Sequence, residues 1–87
     1  AAGYACCPDH SLKKDIMSMI PGSEDLGISF TESYAMIPDA SICGFIFFHP
    51  SACYPEIRHI SREQFEDYAS RRGMDEGMAK MLLGHLL

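Results

Sequence analysis

The chain has 87 residues, 47 % hydrophobic and 22 % charged, with a formal net charge of −5. That length holds at most one small domain, and the apolar fraction is wrong for a disordered segment. The acidic balance and the scattered Lys and Arg argue against a general nucleic-acid binder, which carries a basic stripe.

Residues 1–8, "AAGYACCP", read as an irregular lead-in, with Gly3 free to take backbone angles that other residues avoid. Asp9 is placed to cap a helix over about 9–20. Leu12, Ile16, Met19 and Ile20 share one face of it. Pro21–Gly22 stops that helix, and "SEDLG" offers one more helical turn before Gly27. From Ile28 the period changes. Ile28, Phe30, Tyr34 and Met36 fall on one side of a half-buried strand over about 28–37, and Glu32 shares their face. After the Pro38–Asp39 turn, "SICGFIFF" over 41–48 reads as a central strand covered on both faces. Two such strands joined by a short turn predict an antiparallel hairpin. "HPSACYPE" is a loop. Ser61 and Gln64 form a capping-box pattern ahead of a helix over about 61–72, with Phe65, Tyr68 and Ala69 on its inner face. Gly73 ends it, and Asp75 caps a last helix over about 75–86 carrying Met78, Met81, Leu82 and Leu86. The fold class expected is α+β, a central antiparallel sheet flanked by helices, in a single domain or domain fragment over 1–87.

No apolar leader is visible, and "ICGFIFF" is far shorter than the ~20 residues of a membrane helix. Neither a membrane nor a nucleic acid is expected as a partner. Four cysteines without even spacing, beside six methionines, suit a reduced cytoplasmic protein better than a stapled secreted one. Cys6, Cys7, Cys43 and Cys53 show no CxxC spacing, and His10, His49, His59 and His85 no HxxxH spacing, so no metal ligand set is assigned. Cys43 reads as a small core residue. Cys53 near His49 is a conceivable nucleophile–base pair but lacks an orienting carboxylate at a telling spacing. No catalytic residue is assigned. Glu32 needs a partner if it is buried, either structural or in a pocket. Tyr54, ahead of Pro55 in the loop after the most apolar strand, either faces a ligand or covers the core edge.

Four stretches, "GYACCPDH", "FTESYAMIPDAS", "GFIFFHPSACYPEI" and "REQFEDYASRRGM", together resemble the C-terminal activation domain of cobalamin-dependent methionine synthase. The resemblance runs from Gly3 to about Met74; the last helix is generic. It implies that the chain is the C-terminal part of a larger bent activation domain that binds S-adenosylmethionine in a shallow groove. Such a module supports reductive remethylation of cob(II)alamin with an electron from flavodoxin or a similar reductase. It docks on a cobalamin-binding domain of the same methyltransferase and serves methionine biosynthesis without catalysis of its own. The family's stretch Arg-Pro-x-x-Gly-Tyr-Pro is matched in its second part by Ala1, Ala2, Gly3 and Tyr4, with Ala5 in place of the usual proline. Its arginine and first proline would precede Ala1, and the family's acids from earlier in the domain have no counterpart. Tyr54 matches the ligand-contacting tyrosine after the His-Pro turn, and Pro55 stands where a second tyrosine can occur. The implied ligand-binding residues are therefore Ala1, Gly3, Tyr4, Tyr54 and Pro55, and Cys6 and Cys7 need no chemical role. The 87 residues alone are expected to bind S-adenosylmethionine weakly or not at all. Two other readings stay open: a scaffold that keeps the fold without the ligand, and a small thiol or metal protein.

Overall fold

A computed structural model describes residues 1–87. Helix α1 spans Leu12–Ser18, shorter than expected at both ends. Asp9 turns the chain ahead of it rather than starting the helix. Its Oδ1 accepts from the Ser11 amide at 2.8 Å, and the next amides bond three residues back, in a tighter turn than an α-helix. Ile16 is buried, but Met19 and Ile20 lie past the helix end and are exposed. The expected extra turn exists as a 3₁₀ segment, Ser23–Leu26, bounded by Gly22 and Gly27.

The expected strand over 28–37 is folded back on itself. β1 (Ser29–Phe30) pairs antiparallel with β2 (Met36–Ile37), with Ser29 opposite Ile37 and Phe30 opposite Met36. The polar run between them makes the bend. Thr31 Oγ1 accepts from the Ala35 amide at 3.0 Å, the Tyr34 amide bonds Thr31 O, and Tyr34 takes φ 65°. Short hydroxyl side chains bond nearby backbone and so compete with a strand ladder. Glu32 therefore sits exposed at a hairpin tip, not on a buried strand face.

The hairpin expected between 28–37 and 41–48 does not form. Segment 41–48 has no regular secondary structure and pairs with no strand of this chain, and Ile42, Ile46 and Phe48 are 78 %, 84 % and 100 % exposed. Its apolar run has the composition of a central strand, but such a strand is buried only by neighbours on both edges. Here its backbone meets the lead-in, where the Ala2 amide donates to Cys43 O at 3.3 Å.

The C-terminal helices follow their expected signals. α2 spans Arg62–Arg72 with a complete capping box: Ser61 Oγ accepts from the Gln64 amide, and Gln64 Oε1 from the Ser61 amide. Gly73 closes it in the left-handed region at φ 68°. α3 spans Glu76–Leu83, capped by Asp75 on the Met78 amide at 2.7 Å, and ends in a short 3₁₀ turn, Gly84–Leu86. Phe65 of α2 packs with Ala79, Leu82, Leu83 and Leu86 in the main core. Leu83 takes the inward place expected of Met81, which is half exposed. Ile60 packs against this core, and segment 57–60 is tied down at both ends, the Ile57 amide donating to Ala5 O and the Ile60 amide to Leu86 O.

Candidate functional site

The lead-in is tightly folded. The Gly3 amide donates to Cys7 O at 2.7 Å and the Cys7 amide to Tyr4 O at 2.9 Å, so residues 3–7 close a turn. Gly3 has φ 95°, and a Cβ there would stand 2.1 Å from the His10 ring, so only glycine fits. Before the turn, Ala2 is buried and Ala1 lies on Gly44, where a Cβ would come within 2.7 Å of the Ala1 backbone.

The His49–Pro50 loop brings a second wall to the same place. The Ser51 amide donates to His49 Nδ1 and the Ala52 amide to His49 O, both at 3.0 Å, and the chain turns back along segment 41–48. Tyr54 is then fixed at both ends of its ring. Its Oη accepts from the Phe47 amide at 2.9 Å, and its ring lies 5.4 Å from that of Phe47. Phe47 in turn stacks on Phe45 at 6.4 Å, the planes 12° apart.

Between the walls lies a pocket of about 300 Å³ with an all-apolar lining. Ala1, Ala2, Cys6 and Cys7 form one side and Phe45, Phe47 and Tyr54 the other. Burial, with the neighbouring Cys6 adding to it, pushes the Cys7 thiol above its ordinary range, so it stays protonated at neutral pH. Burial raises the Cys43 thiol likewise. The pocket offers flat aromatic surface and no charged side chain, which suits a planar heterocycle or a soft cation against a ring face.

Of the five residues singled out in the sequence, the structure brings Ala1 and Tyr54 onto this one pocket. Tyr4 is largely exposed and lines a neighbouring cleft, which Ala1 and Ala2 also line. Gly3 packs on His10, and Pro55 is exposed and lines none of the cavities described here. Sequence reasoning missed Phe45 and Phe47 as part of the wall. Their period-two spacing in "GFIFF" puts both on one face and was the available signal. It gave Cys6 and Cys7 no role, because a lead-in without regular structure has no period to show which way they face; they line the pocket. All four cysteines are free, and no three His, Cys, Asp or Glu side chains converge, so the thiol or metal reading finds no ligand cluster to rest on. His49 Nδ1 is already engaged by the Ser51 amide, which removes that nitrogen as a base for Cys53.

A polar cluster holds the lead-in to α2. Asp9, 2 % exposed, accepts from the Tyr68 hydroxyl, and Arg72 Nε stands 3.6 Å from its carboxylate. Arg72 also meets Asp15 at 2.5 Å and Ser11 Oγ at 2.9 Å. Burial first, then the bond to Asp9, drives the Tyr68 hydroxyl far above its ordinary range. These are structural ties that fix where the turn sits.

Residues 1–73 match the family model described as vitamin B12 dependent methionine synthase, activation domain. The chain belongs to that family. A solved structure, "Crystal Structure of the MetH Reactivation Domain bound to AdoHcy", superposes with a TM-score of 0.89 at 39 % sequence identity. The match covers 100 % of this chain and 27 % of that one, so the chain spans about a quarter of the protein it resembles. α3 lies beyond the matched family region but within the structural match, in keeping with its packing against α2. The α+β class holds, whereas the hairpin is the short one at β1–β2.

Proposed function

We propose that this chain is the C-terminal part of an activation domain and contributes to an S-adenosylmethionine site that supports reductive remethylation of cob(II)alamin. One observation carries the reading: Ala1 and Tyr54, 53 positions apart, face one apolar pocket in a fold that matches a reactivation domain bound to AdoHcy. S-adenosylmethionine supplies a methyl group and a flat adenine. The chain's own residues supply the surface. Phe45, Phe47 and Tyr54 offer ring faces, and the hydrogen bond from the Phe47 amide keeps the Tyr54 ring from rotating away. Ala1 brings backbone close to the ligand, Gly3 and Tyr4 close the turn that seats it, and Pro55 stiffens the loop behind Tyr54. The partners in this reading are a cobalamin-binding domain of the same methionine synthase and flavodoxin or a similar reductase. Four free thiols suit the reducing cytoplasm. No helix is long and apolar enough to cross a membrane.

Calorimetric titration of S-adenosylmethionine tests this, using a polypeptide extended upstream of Ala1 through an Arg-Pro pair and the 87-residue chain beside it. The extended form is expected to bind, and the 87 residues weakly or not at all. Tyr54→Ala should weaken binding about tenfold, the worth of one well-placed aromatic contact. Tyr54→Phe, which loses only the bond to the Phe47 amide, should cost less. No heat from a folded extended form would leave a scaffold domain of the same fold, the reading that Ala5 in place of the family's proline favours.

A further inference from the structure

The neighbouring cleft, about 500 Å³, lies between α1, the β1–β2 turn, residues 39–43 and α3. Lys13 lines it and is only 9 % exposed. A buried ammonium ordinarily has a carboxylate beside it. Lys13 has none: seven ion pairs join charged side chains of this chain, and Lys13 takes part in none of them. Asp39, the only carboxylate in the cleft lining, is likewise outside them.

The partners Lys13 does have are neutral. Its Nζ lies 2.8 Å from His10 Nδ1 and donates to Tyr34 O at 3.0 Å. An ammonium has three N–H groups and no lone pair, so His10 Nδ1 is the acceptor and the imidazole proton sits on Nε2. That leaves one N–H of Lys13 and the Nε2–H of His10, with Ser41 on the same lining. Burial first, then the Lys13 charge, lowers the His10 pKa, so the ring is neutral at pH 7 and this tautomer persists. The cleft thus holds a positive charge without a counter-charge in contact, and spare donors beside it.

We propose that this cleft is a binding site for a small oxyanion, a carboxylate or phosphate group, held by Lys13 with His10 as second donor. It is distinct from the aromatic pocket and does not depend on the S-adenosylmethionine reading. An oxyanion there accepts charge-assisted hydrogen bonds in a partly desolvated setting, where they are about twice as strong as neutral ones.

The test is nuclear magnetic resonance on the full chain with ¹⁵N-labelled histidine and backbone. Sodium phosphate and sodium acetate are titrated separately at pH 7.5, with ionic strength held by sodium chloride. The expected result is a saturable shift of the His10 ring signal with half-saturation on the order of 1 mM, as for a few kcal/mol of binding. The stronger of the two arms identifies the anion class. Linear drift in both, indistinguishable from chloride alone, overturns the proposal. Lys13→Met should abolish the saturable response, and a folded Lys13→Met chain that still binds overturns it. If that variant does not fold, the amide map of the unaltered chain decides. Shifts centred on residues 10–13, 34 and 41–43 support the site, and shifts centred elsewhere overturn it.

Discussion

His10 ties several neighbours together, and its titration is readable. Its ring fills the space over Gly3, its Nδ1 accepts from Lys13, and burial with the Lys13 charge lowers its pKa. A lowered native pKa means that the unfolded chain takes up a proton more readily than the folded one. Stability is therefore fully present above the unfolded value of about 6.5 and falls as pH drops below it. In urea unfolding between pH 7.5 and 5, His10→Gln should flatten that part of the decline relative to the unaltered chain. An equal slope in both would show that His10 is not its source. None of this was legible beforehand. "CPDHSLKK" shows a cap and a helix start, but the contact of Lys13 with Tyr34 O spans 21 positions of sequence. Tyr54 was legible as a candidate, because its loop follows the most apolar segment.

At the scale of elements, local signals were reliable where local chemistry decides. The Ser61–Gln64 box, the Asp75 cap and Gly73 needed no distant partner, and all three stand as read. Gly73 is the simplest to test. At φ 68° an added Cβ meets no neighbouring atom, so the cost of Gly73→Ala is conformational alone. About 1 kcal/mol is expected, seen as a lower urea midpoint with an unchanged slope. A change in slope would mean that α2 and α3 no longer unfold together. The strand over 28–37 was misread for a physical reason. Its alternation was genuine, but Thr31, whose hydroxyl also meets that of Ser33, offered the Ala35 amide a nearer partner than a second strand. Apolar spacing predicts a longer α1 because it continues through Met19 and Ile20, whose amides bond three residues back, to Ile16 O and Met17 O, in a tighter turn than an α-helix.

Across the whole molecule the polypeptide is lopsided. The core around Phe65 sits at one side, while segment 42–48 leaves five large apolar side chains 46 % exposed or more. Composition predicted burial for that run, and composition does not say which chain provides the cover. An exposed apolar strand with free edges pairs readily with another. Sedimentation of the 87 residues should therefore show self-association that grows with concentration. Ile46→Lys, at an 84 % exposed position, should suppress it without lowering thermal stability. Self-association that persists in Ile46→Lys would locate the contact elsewhere.

The stretch from Ala1 to Ala2 borders both the aromatic pocket and the Lys13 cleft, so a single thickness of backbone separates two chambers. It is anchored by the Ala2 amide on Cys43 O and by its seat against Gly44. A partition shared in this way makes the chambers thermodynamically accountable to each other. An occupant that shifts the wall from one side alters affinity on the other, and linkage requires the factor to be the same in both directions.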